Sequence, residues 1–344
     1  MTEPYAPPSR KVKVFDDNAA EMLQIEDLKV IFQTPISLIK AVDGVSFAVR
    51  ERESFGIVGE SGSGKSVTCR AIVRLIHPPG QIVSGSIRYD GQDMLSLSDP
   101  ELNFVRGRQI GMIFQDPMTA LNPVMKIRDQ ILETFSEDHF YEGQAAVERA
   151  ISLMKMVGIP APERRLNEYP HQFSGGMRQR VMIAISLSRA PRLLLADEPT
   201  TAVDVTIQDQ ILKLLLHIQH EIGMSLVLVT HDLGVVAQTC DRVAVMYAGR
   251  IMELTDTVTL FKTPHHPYTM GLMNSIPSAL QPGGKLLPIP GQPPNMARLP
   301  SGCRFSPRCS FATDECRVGE FPLRPVGPDH FSACIKDVRV VQGA

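Results

Sequence analysis

The sequence predicts an α/β fold built on a parallel sheet, and two stretches carry that reading. "SFGIVGE" is a continuous apolar strand that stops at a glycine-rich loop, and "SVTCRAIVRLI" then places apolar residues at helical spacing. From Arg192 onward the chain alternates strand and helix through "RLLLADE", "IQDQILKLLLHIQHEI", "MSLVLVTHD", "LGVVAQTC" and "RVAVMYAG". Such alternation is the mark of strands joined by helical crossovers.

The remaining elements follow in order. Residues 1–21 are rich in Pro and charge and read as a flexible lead-in. From Met22, "LQIEDLKVIF" and "AVDGVSFAVR" are short, alternating and rich in Val, Ile and Phe, which predicts strands. "GSIRYDGQDM" is a further β-like patch, with Asp90-Gly91 as its turn. Residues of about 116–190 read as mostly helical, punctuated by Pro160 and Pro162. After Phe261 the composition shifts to Pro and Gly ("LQPGGKLLPIPGQPPN") and periodicity is lost. The expected organisation is a lead-in at 1–21, an α/β domain at 22–260 with a helical subdomain at about 116–190, and an irregular extension at 261–344.

Composition narrows the function. With 344 residues, 43% hydrophobic and 21% charged, the chain reads as globular and long enough to bury a core. A net charge of −2 supplies no basic field for nucleic acid. No run of eighteen apolar residues is present, and the N-terminus lacks the apolar core of a secretory signal. A cytoplasmic address is therefore expected, where thiols stay reduced and clustered cysteines suggest metal or catalysis before disulfides.

"GESGSGKS", Gly59 to Ser66, fits G-x-x-x-x-G-K-[ST] in full, between a predicted strand and a predicted helix. Its glycines allow backbone N–H groups to turn toward phosphates, and the helix N-terminus adds its positive end. Lys65 reaches the β- and γ-phosphates, and Ser66 can ligate Mg²⁺. The candidate ATP-holding set is Gly59, Ser61, Gly62, Ser63, Gly64, Lys65, Ser66 and Val67.

"LLLADEPT" ends an apolar strand on Asp197 and Glu198, at the edge where α/β sheets hold ligands. Asp197 is placed to hold Mg²⁺, and Glu198 to orient or deprotonate an attacking water. His231 ends the strand "SLVLVTHD" and is a candidate for the γ-phosphate. Gln115, in "GMIFQDP", is a candidate for Mg²⁺ or the water. "FSGGMRQR" opens a helix that Ser174 can cap; by its residues alone it is a simple N-cap.

Taken together and in order, "GESGSGKS", Gln115, "FSGGMRQR", "LLLADE", "TTAVD" and His231 resemble the nucleotide-binding subunit of ATP-binding cassette (ABC) transporters, over about residues 22–260. The family's usual LSGGQ is here Phe173-Ser-Gly-Gly-Met177. The resemblance implies a P-loop NTPase fold in which two subunits meet head to tail. Ser174, Gly175 and Gly176 then bind the ATP held by the partner, and Asp204 lies at the dimer seam. It also implies an aromatic residue stacked on adenine, for which Phe32 is the candidate.

"PHHPYT" (Pro264 to Thr269), the Pro-rich stretch and four cysteines further resemble the extension of dipeptide/oligopeptide importer ATPases. The cysteines follow C-x₅-C-x₆-C-x₁₇-C at Cys303, Cys309, Cys316 and Cys334. Four thiolates suit a [4Fe–4S] cluster or a Zn²⁺. No tight zinc knuckle occurs, and the long gaps suit a loop around a larger inorganic core. The resemblance implies the [4Fe–4S] cluster, with Zn²⁺ the alternative and a structural role expected. Cys69 and Cys240 lie among apolar residues and read as packing.

The family further implies an ATP- and Mg²⁺-dependent ATPase that powers import of di- or oligopeptides. It would act with two transmembrane permease subunits, a second ABC ATPase subunit that is a paralogue, and an extracytoplasmic solute-binding protein. Its place would be peripheral, at the cytoplasmic face of the inner membrane, with residues of about 116–140 receiving the permease helices. A soluble ABC ATPase acting on ribosomes or DNA is the alternative. A single cassette without a coiled-coil insertion or basic patch counts against it.

Overall fold

The computed structural model describes residues 20–116, 120–135, 142–201, 204–275 and 288–336. Nearly all of the expected lead-in at 1–21 lies outside them, as does part of the segment expected to meet the permeases. The chain divides into two compact units, Met1–Ser96 with Val229–Ala344, and Leu97–Leu228.

In the first unit, β1 (Glu21–Gln33) and β2 (Leu38–Arg50) pair antiparallel, with Leu28 opposite Val45. The alternating pattern read from the sequence buries Leu23, Ile25, Leu28, Val42, Val45 and Val49. β3 (Ser54–Val58) is buried at every position, as its unbroken apolar run requires. It leads through the phosphate loop into α1 (Lys65–Ile72). β4 (Gly80–Tyr89) pairs with β1 and turns into β5 (Gln92–Asp93). The turn is the expected Asp90-Gly91, both at positive φ (51 and 77), as a tight hairpin requires.

The second unit starts with α2 (Asp99–Arg108), opened by a Ser98–Glu101 capping box. β6 (Ile110–Ile113) pairs parallel with β7 (Leu193–Asp197), Ile113 opposite Ala196. Between them come α3 (Ile127–Glu133), α4 (Gly143–Met156) and α5 (Gly175–Ser186). α6 (Val205–Ile222) follows β7, and β8 (Ser225–Thr230) leads the chain back to the first unit.

There α7 (Leu233–Thr239) precedes β9 (Arg242–Tyr247), which pairs parallel with β3. The parallel pairs β3–β9 and β6–β7 bear out the predicted α/β class. β10 (Arg250–Asp256) turns back antiparallel on β9. α8 (Thr257–Lys262) and α9 (Pro267–Asn274) follow, and β11 (Arg324–Gly327) pairs with β12 (His330–Ser332), itself paired with β10.

The region after Phe261 is thus less irregular than its composition suggests. Pro267 takes the first position of α9, where its missing N–H costs nothing, and His266 Nδ1 caps the helix by accepting from Tyr268 N. The two strands span only four and three residues, too short to show a period. Among the described residues no helix is long and apolar enough to cross a membrane.

Candidate nucleotide site and cysteine pocket

The phosphate loop belongs to the first unit. Gly64, at φ 101, caps α1, and a Cβ there would stand 2.4 Å from the Ala41 carbonyl oxygen. A side chain on Gly59 would meet the Met246 carbonyl oxygen at 2.1 Å. Both positions therefore admit only glycine, one by backbone conformation and one by close approach. The β9–β10 turn braces the loop: Gly249 N donates to Ser63 O at 2.8 Å. Ser63 is buried, Ser61 and Gly62 are exposed, and Ser66 and Val67 are half-buried. Lys65 is 4% exposed, and its ammonium donates to Gly59 O at 2.8 Å and Glu60 O at 3.0 Å. A buried ammonium at the N-terminus of a helix is placed to receive an anion.

Phe32, near the end of β1, is half-buried, and its ring lies against Gly80, whose missing side chain makes the room. His231 is exposed just beyond β8 in the first unit. The next residue, Asp232, caps α7 by accepting from Gly234 N at 2.7 Å.

The acids belong to the second unit. β7 is buried throughout and delivers Asp197 fully buried at its C-terminal end. Glu198 follows at φ 46, a left-handed conformation that costs a non-glycine residue about 1–3 kcal/mol. Its carboxylate Oε2 accepts from Gln115 Nε2 at 3.2 Å and Thr201 Oγ1 at 2.9 Å. The parallel register of β6 and β7 thus brings two of the sequence-predicted residues, Gln115 and Glu198, into contact.

Ser174 caps α5, its hydroxyl accepting from Met177 N at 3.4 Å, and Asp204 caps α6, accepting from Ile207 N at 2.9 Å. The two caps are neighbours: a Cβ on Gly176 would stand 2.8 Å from Ile207 Cγ2. Gly175 has open space around its Cα. Gln179, fully buried on α5, donates to the carbonyl of Pro199 beside Glu198. Sequence reasoning did not single out Gln179; its only signal was a glutamine one turn past the Ser-Gly-Gly stretch.

The four C-terminal cysteines line one apolar pocket in the first unit, with His266, Phe305, Phe311 and Phe321. Cys303 N donates to Cys316 O at 2.8 Å, which closes the loop between them. Burial pushes the Cys303 and Cys334 thiols up and Cys309 up to about 11, and the charges of neighbouring cysteines add to the shift. The raised values keep Cys303, Cys309 and Cys334 as neutral thiols in this apolar pocket. Among the described residues no three of His, Cys, Asp or Glu are disposed to hold a single metal ion. Cys69 and Cys240 are buried away from the pocket, Cys240 against Gly56 of β3.

A glycine-built phosphate loop after a buried strand, and a carboxylate pair ending a second parallel strand, define a P-loop ATPase cassette. The family model for ABC transporters matches residues 42–201, and that for the C-terminal region of oligopeptide/dipeptide transporters matches residues 252–316. The oligopeptide transport ATP-binding protein OppD of Bacillus subtilis is 49% identical over 90% of this chain and 87% of its own length. OppD of Salmonella typhimurium is 46% identical over 92% and 94%. A solved dimeric ATP-binding cassette in a post-hydrolysis state with ADP and Pi superposes with a TM-score of 0.62 at 29% identity, covering 69% of this chain and 99% of that one. The chain belongs to the ABC transporter ATP-binding proteins of the oligopeptide/dipeptide group.

Proposed function

We propose that the chain binds ATP with Mg²⁺ and hydrolyses it to drive import of di- or oligopeptides through a membrane transporter. The observation that carries the reading is the Lys65 ammonium, buried at the start of α1 and held by the carbonyls of Gly59 and Glu60 in the glycine-rich loop. Ser66, Gln115 and Asp197 offer hydroxyl, amide and carboxylate oxygens, the hard donor set that suits Mg²⁺, which would shield the phosphate charge. Glu198 is the general base for the attacking water, held by Gln115 and Thr201. His231 meets the γ-phosphate, and Phe32 stacks on adenine.

Residues 22–260 form the ATPase cassette, with the helical subdomain at about 116–190, and 261–344 the extension. Ser174, Gly175 and Gly176 close on the nucleotide of a second ATPase subunit, a paralogue, and Asp204 faces that seam. The open space at Gly175 leaves room for a phosphate. Two permease subunits dock on the segment of about 116–140, where Val124 is 80% exposed. The solute arrives on an extracytoplasmic binding protein, and the chain works at the cytoplasmic face of the inner membrane. Cys303, Cys309, Cys316 and Cys334 hold a [4Fe–4S] cluster, which would order the extension around it.

The test is Glu198→Gln. ATP turnover by the assembled transporter should fall ~10²–10⁴-fold while nucleotide affinity is kept. Turnover within threefold of the unmodified protein would remove Glu198 from the role of base.

A further inference from the structure

Glu60 stands second in the phosphate loop, and every polar group it owns is engaged. Its carbonyl accepts from Lys65 Nζ at 3.0 Å and from Ser63 N at 3.2 Å. Its N–H donates to Tyr268 Oη at 2.9 Å. Its carboxylate takes a two-pronged ion pair from Arg308, Nη1 to Oε2 at 2.6 Å and Nη2 to Oε1 at 3.1 Å. Two of its four partners, Tyr268 and Arg308, come from the C-terminal extension, 208 and 248 residues away in sequence.

Neither anchor is a loose surface contact. The Arg308 side chain is 5% exposed, and its Nε donates to Pro290 O at 2.8 Å. The guanidinium lies over the Tyr247 ring, 5.8 Å from its centroid. Tyr268 is fully buried, its ring 4.6 Å from Tyr247 and 5.3 Å from Phe305. Phe305 lines the cysteine pocket, and Arg308 is joined directly to Cys309. A fork pairing with a carboxylate fixes direction as well as distance. The chain of contact runs from the cysteine pocket through Arg308 and Tyr268 to Glu60, and from the Glu60 carbonyl to the lysine of the phosphate site.

We propose that Arg308 and Tyr268 are positioning residues for ATP: they act through Glu60 to hold the phosphate loop, so that the order of the cysteine extension sets nucleotide affinity. The inference rests on the reading of this loop as the ATP site. Neither residue touches the nucleotide. Each fixes the peptide whose carbonyl holds Lys65, and Arg308 also neutralises a carboxylate that would otherwise face phosphate charge.

The experiment measures binding of a fluorescent ATP analogue, with Mg²⁺, to the full chain. Arg308→Ala should weaken binding about tenfold, the scale of one lost charged hydrogen-bonded contact, and Arg308→Lys should restore part of the loss. Glu60→Gln should weaken binding less, and adding it to Arg308→Ala should cost nothing further, because both changes break one link. Tyr268→Phe, which removes only the hydroxyl, should weaken binding several-fold without changing the nucleotide-free melting temperature. In the assembled transporter the Arg308 change should raise KM for ATP more than it lowers kcat. Unchanged affinity in folded Arg308→Ala, or losses that multiply in the double variant, would overturn the proposal. If Arg308→Ala does not fold, Tyr268→Phe decides alone: weaker binding supports the link and unchanged binding overturns it. Lys65→Ala separates the two readings, since unaltered affinity there would mean that ATP does not bind at this loop.

Discussion

Two strand-end turns of the molecule solve opposite problems. The loop after β3 is built from glycines and braced from the β9–β10 turn and the C-terminal extension. The turn after β7 puts a glutamate, not a glycine, into the left-handed region and holds its side chain with Gln115 and Thr201. The first turn presents backbone and must stay smooth for a ligand to lie on it. The second must aim one carboxylate, so it carries a side chain where the backbone would prefer none. In the proposed site, binding would rest on what is absent from a loop, and chemistry on what is kept at a strained position.

The largest effects should separate these two turns. Beside the turnover loss expected for Glu198→Gln, Gly64→Ala should do the reverse. The new methyl has to displace the Ala41 carbonyl and hold φ near 101. Nucleotide affinity should therefore drop at least about tenfold, the conformational cost alone being ~1–2 kcal/mol. If Gly64→Ala bound nucleotide normally and lost only turnover, the division between binding turn and chemical turn would fail.

Next in size is the brace beside the loop. Asp43 pairs with Arg250 at 3.0 Å and with the buried Arg304, which also donates to the Ala248 carbonyl. Burial opposes ionisation of Asp43, but the two arginines outweigh it and hold the carboxyl below the usual range. Asp43→Asn leaves the charge of a buried guanidinium uncompensated and should cost about 3 kcal/mol at neutral pH by denaturant melting. Because the folded pKa is depressed, this contribution is present above the unfolded value of 3.8 and disappears as pH falls below it. The gap between variant and unmodified protein should close there, and a gap that persisted at lower pH would show that packing, not charge, is the cause.

Cys309→Ser tests the far end of the brace. Anaerobically purified protein should be brown with about four iron atoms per chain, and the variant should bleach and yield to protease between residues 303 and 334. Stoichiometric zinc without iron would favour the tetrahedral alternative. The smallest effect is expected for Ser174→Arg. In the isolated chain nucleotide affinity should stay within about twofold, since the cap only begins a helix there, while closure with the second ATPase subunit should be blocked. A loss of affinity in the isolated chain would place Ser174 at its own nucleotide rather than the partner's.

Much of this was legible in the sequence because the residues concerned are neighbours along the chain. "GESGSGKS" carries its loop, its lysine and its helix in eight consecutive letters, and the Asp90-Gly91 turn needs only two. Ser174 was readable as a cap for the same reason, whereas the cap made by Asp204 was not read. What escaped notice joins residues far apart. No pattern in Glu60 points to Arg308, nor in Glu253 to His330, whose ring sits 2.7 Å from the Glu253 carboxylate deep in the first unit. Such pairs are set by how the chain returns on itself. The contact of β10 with β12 depends on a strand of three residues, too short to announce itself.

The Lys65 ammonium, resting on two carbonyls of its own loop, has a thermodynamic consequence. The receptor is closed on itself before any nucleotide arrives, so association exchanges acceptors around one cation instead of ordering a segment of chain. A calorimetric titration of the isolated chain should then show a small heat-capacity change, far from the large negative value of coupled folding. The recognition signal would be enthalpic, written in the trade of neutral amide oxygens for charged ones.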